Sequence, residues 1–224
     1  MNLPDLMLQI VYGRLAWALV AAALLLALLP VTACRTKVLI VAATAALMAL
    51  PGPASPAYWL TLALQYPSGL LLGFAVMALR ARWHGRQPRF AMRPGLALGL
   101  AAIGLLLYLD TFGVLALGLY YGGFNPVAAP LLACAAAVGF AVNAWRGHAA
   151  APSAAMLMAL LLFSVLRLPT GNLWDALLDP LLWSWALGST IVAARRRLAG
   201  RRALHRKPAQ AGPDLVAARA ARAE

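Results

Sequence analysis

Apolar residues dominate this chain in long blocks, and polar residues fall between the blocks rather than within them. The blocks lie at 15–33, 38–50, 58–79, 95–109, 127–145, 153–166 and 174–194. A helix crosses a bilayer with about 20 apolar residues, in a range of roughly 17–25. The pattern therefore predicts an all-α, polytopic membrane bundle of about seven transmembrane helices. Residues 1–207 form a single transmembrane domain in this reading. The second, fourth and sixth blocks are short and draw on flanking turns to complete their crossing. Ahead of the first block, Leu3, Leu6, Met7, Ile10 and Val11 share one helical face. That segment is either an interfacial helix or an extension of the first span.

Two stretches depart from the simple block pattern. Residues 112–121 follow Asp110 and are too apolar for a solvated loop. They predict an interfacial or re-entrant helix, broken at Gly122-Gly123 and ended before Pro126. In the third block, "LQYPSG" sets Gln65 about halfway through, with Pro67 and Gly69 predicting a kink. A glutamine at that depth suits hydrogen bonding between helices.

Composition agrees with the block pattern. Of 224 residues, 63% are hydrophobic and 11% charged, whereas a soluble domain carries about 25% charged residues. Such a chain cannot cover a water-facing surface. Abundant alanine, with arginine far outnumbering lysine, points to a GC-rich bacterial genome. The localisation expected is the bacterial inner (cytoplasmic) membrane, multi-pass.

Charge placement supplies orientation. With the N-terminus outside, the cytoplasmic segments hold Arg35, Lys37, Arg80, Arg82, Arg86, Arg89, Arg93, Arg146 and the C-terminal tail. Only Arg14 and Arg167 fall outside, while Asp5, Asp110, Asp175 and Asp179 are all outside. Basic residues favour the cytoplasmic side, so the expected topology is N-out and C-in. The same rule opposes reading "VTAC" at 31–34 as a lipoprotein cleavage box, which would invert every later span. Residues 208–224 lack a core pattern and predict a flexible basic tail.

The net charge of +13 does not indicate nucleic acid, because no reading module accompanies it. Arg80, Arg82, Arg86, Arg89, Arg93, Arg195, Arg196 and Arg197 instead suit anionic phospholipid headgroups, at about 1 kcal/mol per charge near the surface. Cys34 and Cys134 lack the companions of a disulfide framework or zinc site and read as small buried hydrophobes. No metal or cofactor is expected.

Candidate chemistry gathers at the outer ends of the last four blocks, in Asp110, Asn125, Arg167, Asn172, Asp175 and Asp179. Asp175 and Asp179 stand four apart, which puts them on one face of a continuous helix, about 6 Å apart along its axis. Unpaired carboxylates are costly in hydrocarbon, so Arg167 is expected to meet Asp110 or Asp179. Asn172 fits a helix cap and Asp175 a helix N-terminus. "PSG" lacks the histidine of a lipid phosphatase motif, and His84, His148 and His205 all lie in basic segments.

Without a catalytic motif, the first expectation is a non-catalytic subunit or accessory factor of an envelope assembly, with a membrane-protein partner. The second is a small transporter or lipid-handling permease using outer-face carboxylates. The third is an intramembrane enzyme acting on a lipid-linked substrate.

Overall fold

The computed structural model describes residues 3–31, 33–86, 91–147 and 150–206. The predicted flexible tail at 208–224 and the lipid-contact residue Arg89 lie outside them. The described chain is all-helical. The helices are α1 (Leu6–Leu28), α2 (Cys34–Met48), α3 (Pro56–Leu64), α4 (Gly69–Trp83), α5 (Pro94–Thr111), α6 (Leu119–Gly122), α7 (Ala128–Trp145), α8 (Ala150–Leu166), α9 (Leu173–Leu177) and α10 (Pro180–Arg206). Three of these, α1, α5 and α7, are long and apolar enough to cross a membrane, and α8 is a shorter apolar helix. Large apolar side chains such as Leu39, Leu98, Leu131, Val138, Leu161 and Val165 face outward. Exposed apolar surface of that extent is compatible with a membrane protein and out of keeping with a soluble monomer.

Local chemistry sets where helices start. The Asp5 carboxylate accepts from Met7 N at 2.7 Å and caps α1. Ser55 and Ser68 cap α3 and α4, and Pro56 and Pro94 occupy first-turn positions, where a missing N–H costs nothing. The N-terminal segment is thus continuous with the first span.

Helices α2, α1, α4, α8 and α7 pack side by side in that order, and α5 pairs with α10. Side chains of α5 and α10, including Ala97, Ala101, Leu182 and Ala186, join Trp17, Leu70, Leu71, Ala155 and Ala159 in one core. Two hydrogen bonds tie the pair along its length, Trp183 Nε1 to Ala101 O at 3.1 Å and Met92 N to Ser189 Oγ at 3.2 Å. Helices α4 and α8 approach each other backbone to backbone. A Cβ on Gly69 would stand 2.9 Å from Ala159 Cα, and one on Gly73 would stand 2.6 Å from Ala155 O. Paired small residues four apart, Gly69 and Gly73 facing Ala159 and Ala155, let the two backbones approach.

These contacts also fix direction. α1, α4 and α10 begin at one end of the bundle, where α5 and α8 finish; that end carries Asp110, Asp175 and Asp179. At the opposite end, Arg82 Nη2 donates to Ala27 O at 3.1 Å and Lys37 Nζ donates to Arg82 O at 2.8 Å. Cations there serve the C-terminal carbonyls of α1 and α4, where the helix dipole favours positive charge.

Four expectations are corrected. The block at 58–79 is not one kinked helix but two, α3 and α4, separated at 65–68. The block at 174–194 is likewise divided, because Leu178 is extended (φ −145°, ψ 135°) and α10 begins only at Pro180. Proline disfavours helical geometry in the residue before it, here Asp179. The helix expected over 112–121 is mostly irregular backbone, with only residues 119–121, part of α6, helical. Finally, Cys34 and Cys134 are exposed, not buried.

Candidate functional site

The breaks at 65–68 and 178–179 and the turn after α5 meet around one cavity of about 220 Å³ at the carboxylate end. Its walls include Gln65 and Tyr66 from the first break, Tyr108 and Thr111 from α5, Tyr120 from α6, and Thr170, Trp174, Asp175 and Asp179.

The break at 65–68 is held from three sides. Tyr12 OH donates to Pro67 O at 2.8 Å, Leu71 N donates to Ser68 Oγ at 3.0 Å, and Ser68 N donates to Asp179 Oδ2 at 2.7 Å. Asp179 Oδ1 accepts from Leu182 N at 2.8 Å. One buried carboxylate therefore caps two helices, α4 and α10, and ties their starting points together. Gln65 ends α3 with φ +63° and is exposed. The expected helix-to-helix hydrogen bond from this glutamine is not formed among the described residues; its side chain borders the cavity instead.

Asp175 sits in the first turn of α9. It accepts from the Thr170 hydroxyl and from Tyr120 OH at 3.2 Å. The helix break separates it from Asp179, so the two do not share a helix face as their spacing suggested. Both short helices, α6 and α9, lie outside the long apolar segments. Burial pushes the Asp175 carboxyl above its ordinary range, against the Thr170 and Tyr120 hydrogen bonds. Burial, with the neighbouring Asp175 charge, pushes the Tyr120 phenol up to about 12. Tyr120 therefore remains a hydrogen-bond donor across the physiological range.

Asp110 does not meet Arg167. Its Oδ1 accepts from Leu117 N at 2.6 Å and Gly118 N at 2.9 Å, and its Oδ2 accepts from Tyr120 N at 2.9 Å. The buried aspartate is a clasp for the turn that carries Tyr120 to the cavity. Arg167 lies over the Phe163 ring at 5.0 Å and donates to Pro126 O at 3.3 Å. Nor does it pair with Asp179. The ion pair expected from charge alone is replaced by backbone donors on one side and a ring face on the other.

Both asparagines are caps. Asn125 Oδ1 accepts from Val127 N and Ala128 N at the start of α7. Asn172, fully buried, accepts from Trp174 N and donates to Tyr120 O at 3.1 Å. Together with Trp174 Nε1 to Leu119 O at 2.8 Å, this fastens α6 against α9. Of the residues read as lipid contacts, Arg80, Arg86, Arg93, Arg195, Arg196 and Arg197 are exposed, whereas Arg82 is committed to Ala27.

Tyr108, Tyr120, Thr170 and Ser68 were not foreseen. Thr170 carried a local signal, since a hydroxyl two residues before a capping asparagine commonly organises a turn. The tyrosines carried only their position in an otherwise apolar stretch. The site thus offers one carboxylate held by hydroxyls, a ring-lined wall, and a second carboxylate committed to backbone. Among the described residues, no group of three or more His, Cys, Asp or Glu side chains is placed to hold a metal. No protein-family model, curated protein or solved structure matches this chain.

Proposed function

We propose that the chain is a seven-span bacterial inner-membrane protein, N-terminus outside and C-terminus cytoplasmic, that works as a small permease. Its solute enters the cavity at the carboxylate end. The spans are α1, α2, α4, α5, α7, α8 and α10, in contact with anionic headgroups at the arginine end. The observation that carries the reading is the convergence of two interrupted helices on one polar cavity. Irregular backbone at membrane depth is tolerated where it lines a cavity, and discontinuous helices are a recurrent way to build solute sites.

In proteoliposomes screened against small organic solutes, Asp175→Asn is expected to cut flux to background while leaving insertion and melting unchanged. Equal flux in parent and variant would remove the permease reading. Orientation is tested separately in a Cys34→Ser, Cys134→Ser background. Phe112→Cys and Tyr121→Cys, 78% and 75% exposed, should react with an impermeant thiol reagent from outside, and Arg86→Cys only after permeabilisation. The reverse pattern would invert the topology.

A second reading, a subunit of an envelope assembly, rests on α7. Only 11% of its apolar window is buried, and Trp145 at its end is 90% exposed. A stoichiometric protein partner retained in mild detergent would favour it; isolation of a fully active single chain would count against it. Catalysis by an aspartate pair finds less support, since both oxygens of Asp179 already serve helix starts.

A further inference from the structure

The cavity's charge identifies what it takes. None of its lining residues is a lysine, arginine or histidine. Asp179 is committed to two helix starts, whereas Asp175, in the first turn of the five-residue α9, is met by the Thr170 and Tyr120 hydroxyls and by no cationic side chain of the cavity wall.

Chain direction gives an independent indication of the same sign. Helices α3 and α5 finish at the cavity, which Leu64 and Thr111 line. Helix C-termini carry partial negative charge, and such ends coordinate cations in interrupted-helix sites. The positive N-termini at this end are already covered, those of α4 and α10 by Asp179, α1 by Asp5, α6 by Asp110 and α9 by Asn172. Tyr108, Tyr120 and Trp174 add aromatic side chains to the wall, and aromatic rings attract ammonium groups more strongly as water is removed.

Size narrows the class. The volume of about 220 Å³ far exceeds the roughly 10–15 Å³ that one water needs, and it lies below the about 300 Å³ at which drug-sized pockets begin. A compact group fits. Bare sodium or potassium would gain a single free carboxylate and little from the rings, whereas an ammonium carrying methyl or methylene groups uses both.

We propose that the cavity binds a small organic ammonium group, supplied either by a free amine or quaternary ammonium ion or by a zwitterionic lipid headgroup. The inference rests on the cavity being the solute site of the permease and names the class of that solute.

The test uses the purified full chain in non-ionic detergent, titrated calorimetrically with choline and ethanolamine, with sodium and potassium chloride as controls. Saturable binding of either amine is expected, weakened about 30-fold by Asp175→Asn and about fivefold by Tyr108→Leu. Should Asp175→Asn fail to fold, Tyr108→Leu decides. A second arm reconstitutes the protein in vesicles of phosphatidylethanolamine and phosphatidylglycerol and extracts it for native mass spectrometry. Retained ethanolamine lipid that free choline displaces identifies the headgroup as the source; amine binding without retained lipid identifies a soluble ligand. No saturable binding in either arm, undiminished binding in both variants, or equal binding of the inorganic cations overturns the proposal. Asp175-dependent flux of other solutes without amine binding would leave the permease standing and remove this inference. Amine binding without flux would do the opposite.

Discussion

Replacing Gly73 by leucine is expected to destabilise the protein by about 3 kcal/mol or more, the upper range for overpacking a close-fitted contact. For a chain of this size that is roughly a 6–12 °C drop in melting temperature, read by thermal unfolding in detergent. The cause is steric. A first side-chain carbon at this position already stands 2.7 Å from Ala155 Cα and 2.6 Å from Ala155 O, and these are backbone atoms that cannot rotate away. Helices α4 and α8 must separate, and the core around Leu70, Leu71 and Ala159 loosens with them. Gly139→Ala is the control, because nothing lies within 4 Å of its would-be Cβ. Within α7 that change is expected to be neutral or to stabilise by up to about 1 kcal/mol. Melting of Gly73→Leu at the parent temperature would mean that the two helices do not meet as described.

Asp179→Ala is expected to lose about 3–6 kcal/mol, from two charge-assisted hydrogen bonds at about 1.5–3 kcal/mol each. Ser68 N and Leu182 N would both be left without an acceptor in a buried site. Asp179→Asn should lose less than alanine, since one amide oxygen still accepts while the amide nitrogen faces a donor. The readout is the yield of monodisperse protein in detergent and its melting temperature, measured apart from any flux. Normal yield and melting for Asp179→Ala would show that the carboxylate is not a clasp, and would return it to the list of groups available to a solute.

How much of this was legible beforehand depends on the range of the interaction. The all-helical character and the long apolar helices α1, α5 and α7 followed from apolar blocks, because burying or exposing a whole helix face is decided by many residues at once. The division after Leu177 had a local signal in Asp179-Pro180, a capping residue followed by a first-turn proline; reading the two aspartates as one helix face passed over it. The division at 65–68 was foreseen only as a kink. Its depth is set by Tyr12 and Asp179, which are distant in sequence. The small-residue seam was visible as "GLLLG" at 69–73 and "AAMLMA" at 154–159, though neither run reveals its partner. Asp110 shows the opposite limit. Charge complementarity pointed to Arg167, but the position of three backbone N–H groups in a turn cannot be read from side-chain identity.

The unequal lengths of the helices carry a consequence for the surrounding lipid. α2 and α4 have 15 residues each, about 22 Å of helix, against a hydrocarbon layer of about 30 Å. α7, at the far side of the row, has 18, about 27 Å. α2 flanks α1 at the other edge, with Val38, Leu39 and Leu47 turned outward, so on the seven-span proposal acyl chains there would meet a hydrophobic wall shorter than themselves. Bilayers respond to such mismatch by thinning locally, at fractions of a kcal/mol per ångström. The molecule would sit in a wedge-shaped lipid collar, pinched beside α2 and nearly full thickness beside α7, and would partition towards thinner, shorter-chain regions of its membrane.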